Sequence, residues 1–371
     1  PTHPPIRPST HSPIPCRSVS VSFTVRVGRW QVAWSGLLYV PGCRAGEDSA
    51  HALLRAMLSQ GVGPGSCLGR GTYWLCVRSP EGTVHHMVDP CGLMRVFLAS
   101  NQLFEHYSDA LRSVGLTLET LDPAAVVEFL NYGRLGSNYT HAGAVTTLRG
   151  CDRVEIDGAG DLQVKDRCLA DPMVHPGVTL QDGLRDLAYA LQGKRVALDL
   201  TGGLDSRLLA VAFTHHGLTF EPGLSGADHY SEYALAESVA KALGRTLLRY
   251  PHCLDDLDAD LRRHAQASQG LMDVVATHRA RCMQEARRAE GIEVAVGGMG
   301  GEMINDFTLL QDMPFLGRSR ADLERFWRLR LRAFINLAFA SVIAFSARRS
   351  SSSSSSLSVL VPVSADIKLN F

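Results

Sequence analysis

The sequence predicts an α/β protein in which a doubly wound parallel sheet is preceded by a β-rich α+β region. Three observations lead there. From about residue 175 onward, strand-like and helix-like runs alternate four times. One of those runs, KRVALDL, is apolar in the manner of a parallel strand buried on both faces. Before about residue 165 the texture is instead short strands punctuated by turn residues. The expected organisation is a disordered or atypical lead-in over 1–35, a first domain over 36–170, a second over 175–345 and a low-complexity tail over 346–371.

In the first domain, GTYWLCVRSPEGTVHHMVDPCG reads as two strands around a turn at residues 80–82, and MRVFLAS as another short strand. DPAAVVEFLNYG predicts a helix with Asp122 as N-cap, Pro123 in the first turn and Gly133 as terminator. DRVEIDGAGDLQV predicts a hairpin turning at residues 157–160. In the second domain, SRLLAVAFTHH is a helix closed by Gly217, and LTFEPGL is a second strand. SEYALAESVAKAL is a helix followed by Gly244, and RTLLRY is a third strand. THRARCMQEARRAEG is a charged helix leading to a fourth strand in IEVAVGGMGGE. Short crossovers between such strands are right-handed as a rule.

Composition narrows the function classes. The chain has 371 residues, 45% hydrophobic and 20% charged, the proportions of a globular protein with a sizeable core. Lys+Arg and Asp+Glu number 37 each, so no global field draws the chain to nucleic acid or an anionic membrane, and neither partner is expected. The nine cysteines are scattered, with no CxxC pair, and HExxH is absent. Free thiols of this kind fit a reducing, cytoplasmic setting. The proline-rich opening lacks the apolar core of a signal peptide. The apolar run at 333–345 has 13 residues, too few to span a bilayer, and reads as a buried helix, with interfacial contact as the lesser alternative. Seven consecutive serines at 350–356 mark the tail as disordered.

Two glycine-rich loops follow expected strand ends, TGGLDS at 201–206 and GGMGGE at 297–302. Open α/β sheets bind ligands at the carboxyl ends of their strands. The first loop also opens a helix, where unpaired N–H groups and the helix dipole favour an anion. Gly202 and Gly203 are expected to turn the backbone sharply and let it approach phosphate, with Thr201 and Ser206 adding hydroxyl donors. Asp205 repels phosphate by itself, so a divalent cation between them is the sensible reading, with Glu302 as a second carboxylate. The plainer alternative is a tight turn with Asp205 as a helix N-terminal carboxylate. Neither GxxxxGK[ST] nor GxGxxG after a strand is present.

These residues resemble a known family. LTGGLDSRL is similar to the pyrophosphate loop, written SGGxDS, of the ATP-pyrophosphatase superfamily. GADHYSEYALAESVAKALG and VAVGGMGGEM resemble the second-strand segment and the second loop of asparagine synthetase-like proteins. GTYWLCV, VDPCGLMRVFLAS, VVEFLNYG and LRGCDRVEID resemble, in that order, the glutamine amidotransferase domain of the same proteins. The resemblance covers about residues 70–315. It implies an AMP- and pyrophosphate-forming amide ligase that uses ATP and Mg2+ to activate a carboxylate for ammonia or an amine. It implies that Thr201, Gly202, Gly203, Leu204, Asp205 and Ser206 hold pyrophosphate, and that Asp205 and Glu302 bind metal. Leu198, Leu200, Ser225 and Gly226 would flank adenine, with Gly297 and Gly298 near the ribose and α-phosphate.

The departures from the pattern carry expectations of their own. The chain opens on Pro1, and Cys16 lacks the following glycine, so glutamine hydrolysis is not expected. Glu302 is followed by Met303 where the family has a second acid, and Arg207 stands in place of a frequent serine. Arg207 is a candidate contact for a carboxylate or phosphate, the commoner fate of such a residue being a surface ion pair. No lysine among Lys165, Lys194, Lys241 and Lys368 is assignable to catalysis, and the second domain reads as truncated. Two alternatives therefore stand beside the ligase: an incomplete enzyme that retains nucleotide binding, and a cyclase that closes an amide within one substrate. A homodimer is compatible with the sequence.

Overall fold

The computed structural model describes residues 23–61, 63–64, 69–115, 117–135, 138–167, 178–226, 232–251 and 257–298. These belong to one compact unit, Pro1–Asn305; the second unit, Asp306–Phe371, lies outside the described residues. The expected boundary near 170–175, the apolar run at 333–345 and the serine tail also lie outside them. The fold is mixed α/β, with two antiparallel sheets and one parallel sheet.

The larger antiparallel sheet contains β1 (Phe23–Val27), β2 (Trp30–Tyr39), β3 (Arg70–Arg78), β4 (Val84–Val88), β8 (Asp152–Ile156) and β9 (Leu162–Asp166), in that spatial order. Residues 23–35 were expected to belong to the lead-in; they form β1, a turn at 28–29 and the start of β2 instead. Val25 and Val27, then Val32 and Trp34, are spaced two apart, and Val25, Val32 and Trp34 are buried in the core beneath helix α1 (Glu47–Gln60). The expected turn at 80–82 separates β3 from β4, and Gly160 N–H donates to the Asp157 carbonyl at 3.1 Å in the expected hairpin.

A three-stranded sheet of β6 (Gln102–Phe104), β5 (Phe97–Ala99) and β7 (Thr146–Thr147) packs beside helix α2 (Tyr107–Val114). Helix α3 (Pro123–Tyr132) begins and ends as its residues dictate. The Asp122 carboxylate accepts from Ala124 and Ala125 N–H, and Gly133 closes the helix at φ 65°.

The parallel sheet contains β10 (Val196–Asp199), β11 (Glu221–Gly226), β12 (Leu248–Pro251) and β13 (Val294–Val296). Between them lie α5 (Leu204–His215), α6 (Glu232–Ala242), α7 (Leu257–Ala267) and α8 (Val274–Ala289), and α4 (Leu180–Ala190) precedes β10. The second strand starts three residues later than LTFEPGL implied, at Glu221; Leu218 and Phe220 pack into the core ahead of it.

Helices cover both faces. Val196 and Leu198 of β10 and Leu224 of β11 pack against Ala188, Ala210, Phe213, Ala236 and Ala240 of α4, α5 and α6. Strand alternation turns Asp199 and Gly223 the other way, toward Arg287 of α8. Full burial of Phe213 or Leu198 contributes about 1.5–3 kcal/mol each.

The spatial order of this sheet is β12-β11-β10-β13. The chain builds outward from β10 through β11 to β12, then returns to the far side of β10 for β13. The direction of winding therefore reverses between β10 and β13, the place where open parallel sheets leave a crevice at their carboxyl ends.

Candidate functional site

Both glycine-rich loops arise at this reversal. Residues 200–203 leave β10 and enter α5, while Gly297 and Gly298 leave β13, the direct neighbour of β10. The structure brings them into contact. A Cβ placed on Gly298 would lie 3.0 Å from the Ser206 nitrogen and 3.1 Å from Asp205 Cβ; one on Gly297 would lie 3.2 Å from Asp199 Oδ2.

The loop is held by its own polar groups. Thr201 N–H donates to Ser206 Oγ at 3.1 Å, and Gly203 N–H donates to Thr201 Oγ1 at the same distance. The Ser206 hydroxyl is buried, within 3.2 Å of the Thr201 carbonyl and 3.0 Å of Thr201 Oγ1. Ser206 and Thr201 thus shape the loop from inside, where the sequence suggested outward donors.

The reason for the glycines also differs. Neither Gly202 nor Gly203 has a positive φ, so no forbidden turn requires them. Space does: a Cβ on Gly202 would meet Leu235 Cδ2 at 2.7 Å.

Gly203 occupies the N-cap of α5 without a side-chain cap, leaving first-turn amides of the helix without that closure. Asp205 stands in that turn, half-buried beside Gly298, and Leu204 is exposed. Arg207 Nε donates to the Gly203 carbonyl at 3.2 Å, which turns it back along its own helix.

Leu198 and Leu200 are wholly buried in the core below the loop, and Leu200 N–H donates to the Gly223 carbonyl of β11 at 2.9 Å. Ser225 and Gly226 end β11, one strand away, where Gly226 carbonyl accepts from the Tyr233 hydroxyl at 3.1 Å. Glu302 lies outside the described residues, as do Cys16 and Lys368.

Glu232 is a member of the site that no sequence argument singled out. It opens α6 at the same end of the sheet, and its Oε2 accepts from Gly202 N–H at 3.3 Å. A carboxylate oxygen already rests on a loop amide there. The available signal was an acidic first-turn residue on the helix that follows β11.

Among the described residues no three of His, Cys, Asp and Glu gather into a metal-binding group. A cation bridging one or two carboxylates to substrate phosphates needs no such group, and Asp205 fits that more open arrangement. Lys165 pairs with Glu155, and Lys194 pairs with Glu293 at 3.3 Å. Among the described residues Cys43, Cys91, Cys151 and Cys282 carry free thiols. No helix among the described residues is long and apolar enough to cross a membrane. No family model matches the chain, and no curated protein matches it.

Proposed function

We propose that the chain is an asparagine synthetase-like, ATP-dependent amide ligase that forms AMP and pyrophosphate. The observation that carries this reading is the meeting of two glycine loops with the N-terminus of α5 at the winding reversal of a parallel sheet. On this reading the parallel sheet is of the ATP-pyrophosphatase type, and the antiparallel part is an amidotransferase-like domain without glutaminase activity. The substrates are a small-molecule carboxylate and ammonia or an amine; neither nucleic acid nor membrane is a partner. The free thiols of Cys43, Cys91, Cys151 and Cys282 fit a cytoplasmic setting.

In the reaction a carboxylate oxygen attacks the α-phosphorus of ATP, the bond from that phosphorus to the β-bridging oxygen breaks, and pyrophosphate leaves. The nitrogen nucleophile then attacks the acyl carbon, the bond to the adenylate oxygen breaks, and a proton and AMP are released. The uncapped first-turn amides of α5 would hold the leaving pyrophosphate as preorganised donors, since the N–H groups of Thr201, Gly202 and Gly203 are already engaged. Asp205, with Glu302 as a candidate second carboxylate, would hold Mg2+, which supplies charge neutralisation on the phosphates when bound.

The test is calorimetric titration of the native chain and Asp205→Ala with a non-hydrolysable ATP analogue and magnesium, followed by pyrophosphate exchange with a panel of carboxylates. Magnesium-dependent binding that Asp205→Ala abolishes supports the reading. Absence of binding to the folded native chain overturns it. The pairing of Lys165 and Lys194 with glutamates favours a second reading, nucleotide binding without turnover. Pyrophosphate release that depends on added carboxylate separates the two.

A further inference from the structure

One charged pair near the crevice is unexplained by phosphate or metal binding. Arg287 reaches from α8 to the underside of the sheet and is 1% exposed, yet its Nη2 stands 2.6 Å from Asp199 Oδ1. Its guanidinium lies over the Tyr250 ring, 5.3 Å from the centroid, and Tyr250 hydroxyl donates to Glu290 at 3.3 Å. The place is cleared by glycine, since a Cβ on Gly223 would stand 3.2 Å from Nη2 and 2.7 Å from Tyr250 Cε2. Among the described residues Nε, Nη1 and Nη2 of Arg287 and Oδ1 of Asp199 lack a hydrogen bond of good geometry, so the two side chains are held together by charge.

A guanidinium taken out of water in this way is costly and stabilises poorly compared with apolar packing. Its effect is to pin one carboxylate. Asp199 is the last residue of β10, its side chain is 37% exposed, and Oδ2 faces Gly297 at the mouth of the crevice. One oxygen is thereby engaged below and the other presented above.

We propose that Asp199 accepts hydrogen bonds from the sugar hydroxyls of the bound nucleotide, with Arg287 as the positioning residue that fixes its carboxylate. The inference rests on the nucleotide reading given above and adds to it the residue that selects a ribose. The chemistry chooses the sugar. A carboxylate repels phosphates and needs donors, which the sugar supplies as hydroxyls. Asp199 precedes Thr201 by two residues, about 7 Å of extended chain, which matches the step from phosphates to the adjoining sugar. Hydrogen bonds accepted by a carboxylate are of the stronger, charge-assisted kind.

The experiment measures dissociation constants for ATP, 2′,3′-dideoxy-ATP and inorganic pyrophosphate, each with magnesium, on the full chain. The native protein is expected to prefer ATP over the dideoxy nucleotide by at least tenfold. Asp199→Asn and Arg287→Met are expected to reduce that preference to within about threefold while leaving pyrophosphate affinity unchanged, because Asn is a weaker acceptor and an unpinned carboxylate is misplaced. Circular dichroism confirms that each variant is folded. If one does not fold, the native preference still decides.

A native chain that binds magnesium pyrophosphate but shows no ATP preference overturns this inference and leaves the ligase reading standing. So does a folded Asp199→Asn with undiminished preference. A native chain that binds neither pyrophosphate nor ATP overturns both.

Discussion

Replacing Gly298 by alanine tests the central contact of the site. The new methyl carbon would lie 3.0 Å from the Ser206 nitrogen, 3.1 Å from Asp205 Cβ and 3.3 Å from the Asp205 carbonyl carbon. Non-bonded carbon contacts settle at about 3.5–4.0 Å, so loop and helix must part by a few tenths of an ångström. Two of the three opposing atoms are backbone in the first turn of α5, held in place by the helix and by the Ser206 hydroxyl. Overpacking of this kind costs about 1–3 kcal/mol. Gly297→Ala is the control, because its methyl would meet only the carboxylate tip of Asp199, at 3.2 Å. Urea denaturation should show Gly298→Ala destabilised by about 1–3 kcal/mol and Gly297→Ala by less. Titration with magnesium pyrophosphate should show affinity reduced about tenfold or more in Gly298→Ala, since about 1.4 kcal/mol of misplaced donors suffices for that factor. A Gly298→Ala protein with native stability and native affinity would refute the reasoning, since it would mean that the two loops do not meet.

Two further perturbations address other links in the argument. Burial holds the His86 imidazole down at about 4, against 6.5 for an ordinary histidine, with its ring packed 5.6 Å from that of Trp74. Between those values the unfolded chain binds the proton and the folded chain does not, so stability falls as pH drops from about 6.5 to about 4, by about 3 kcal/mol in all. His86→Leu should flatten that part of the stability-versus-pH curve in urea titrations; an unchanged slope would assign the acid sensitivity to other groups. Glu232→Gln removes the negative charge resting on Gly202 N–H and should tighten magnesium-free pyrophosphate binding a few-fold. Weaker binding in calorimetry would show Glu232 to be a helper of the anion site, not a competitor.

Much of the fold could be read from local signals. Asp122, Pro123 and Gly133 mark α3 at both ends, and Asp157 with Gly160 marks the β8–β9 turn, because caps and turns are decided by a few adjacent residues. Helix α1 went unread because Gly46 begins it without a side-chain cap. Helix α7 was hidden for another reason. Its buried residues are Asp260 and His264, with Asp260 paired to Arg281 of α8 at 2.6 Å and His264 Nε2 2.7 Å from Thr277 Oγ1, so it shows no apolar stripe. At the site, TGGLDS could be placed on a strand-to-helix turn, yet the burial of Leu198, Leu200 and Ser206 depends on what packs beneath. The meeting of Gly298 with α5 depends on strand order. Strand order is a long-range property, and neither loop by itself states that β13 returns to the side of β10.

The two faces of the parallel sheet divide the work of folding and recognition. Against α4, α5 and α6 the contacts are apolar, with Leu198, Phe213 and Leu224 buried together. Against α8, Asp199 and Arg287 form an ion pair with one partner wholly buried. Were that pair there for stability, apolar residues of similar size would serve as well or better, since replacing a buried pair as a unit is often neutral or stabilising by about 1–4 kcal/mol. The double variant Asp199→Leu with Arg287→Met is therefore expected to unfold at a urea concentration no lower than the native chain, and to lose its preference for ATP over the dideoxy nucleotide. Stability kept and selectivity lost would assign the pair to the crevice above it. A double variant destabilised by several kcal/mol, with selectivity intact in its folded fraction, would assign the pair to the packing of α8 and remove Asp199 from the site.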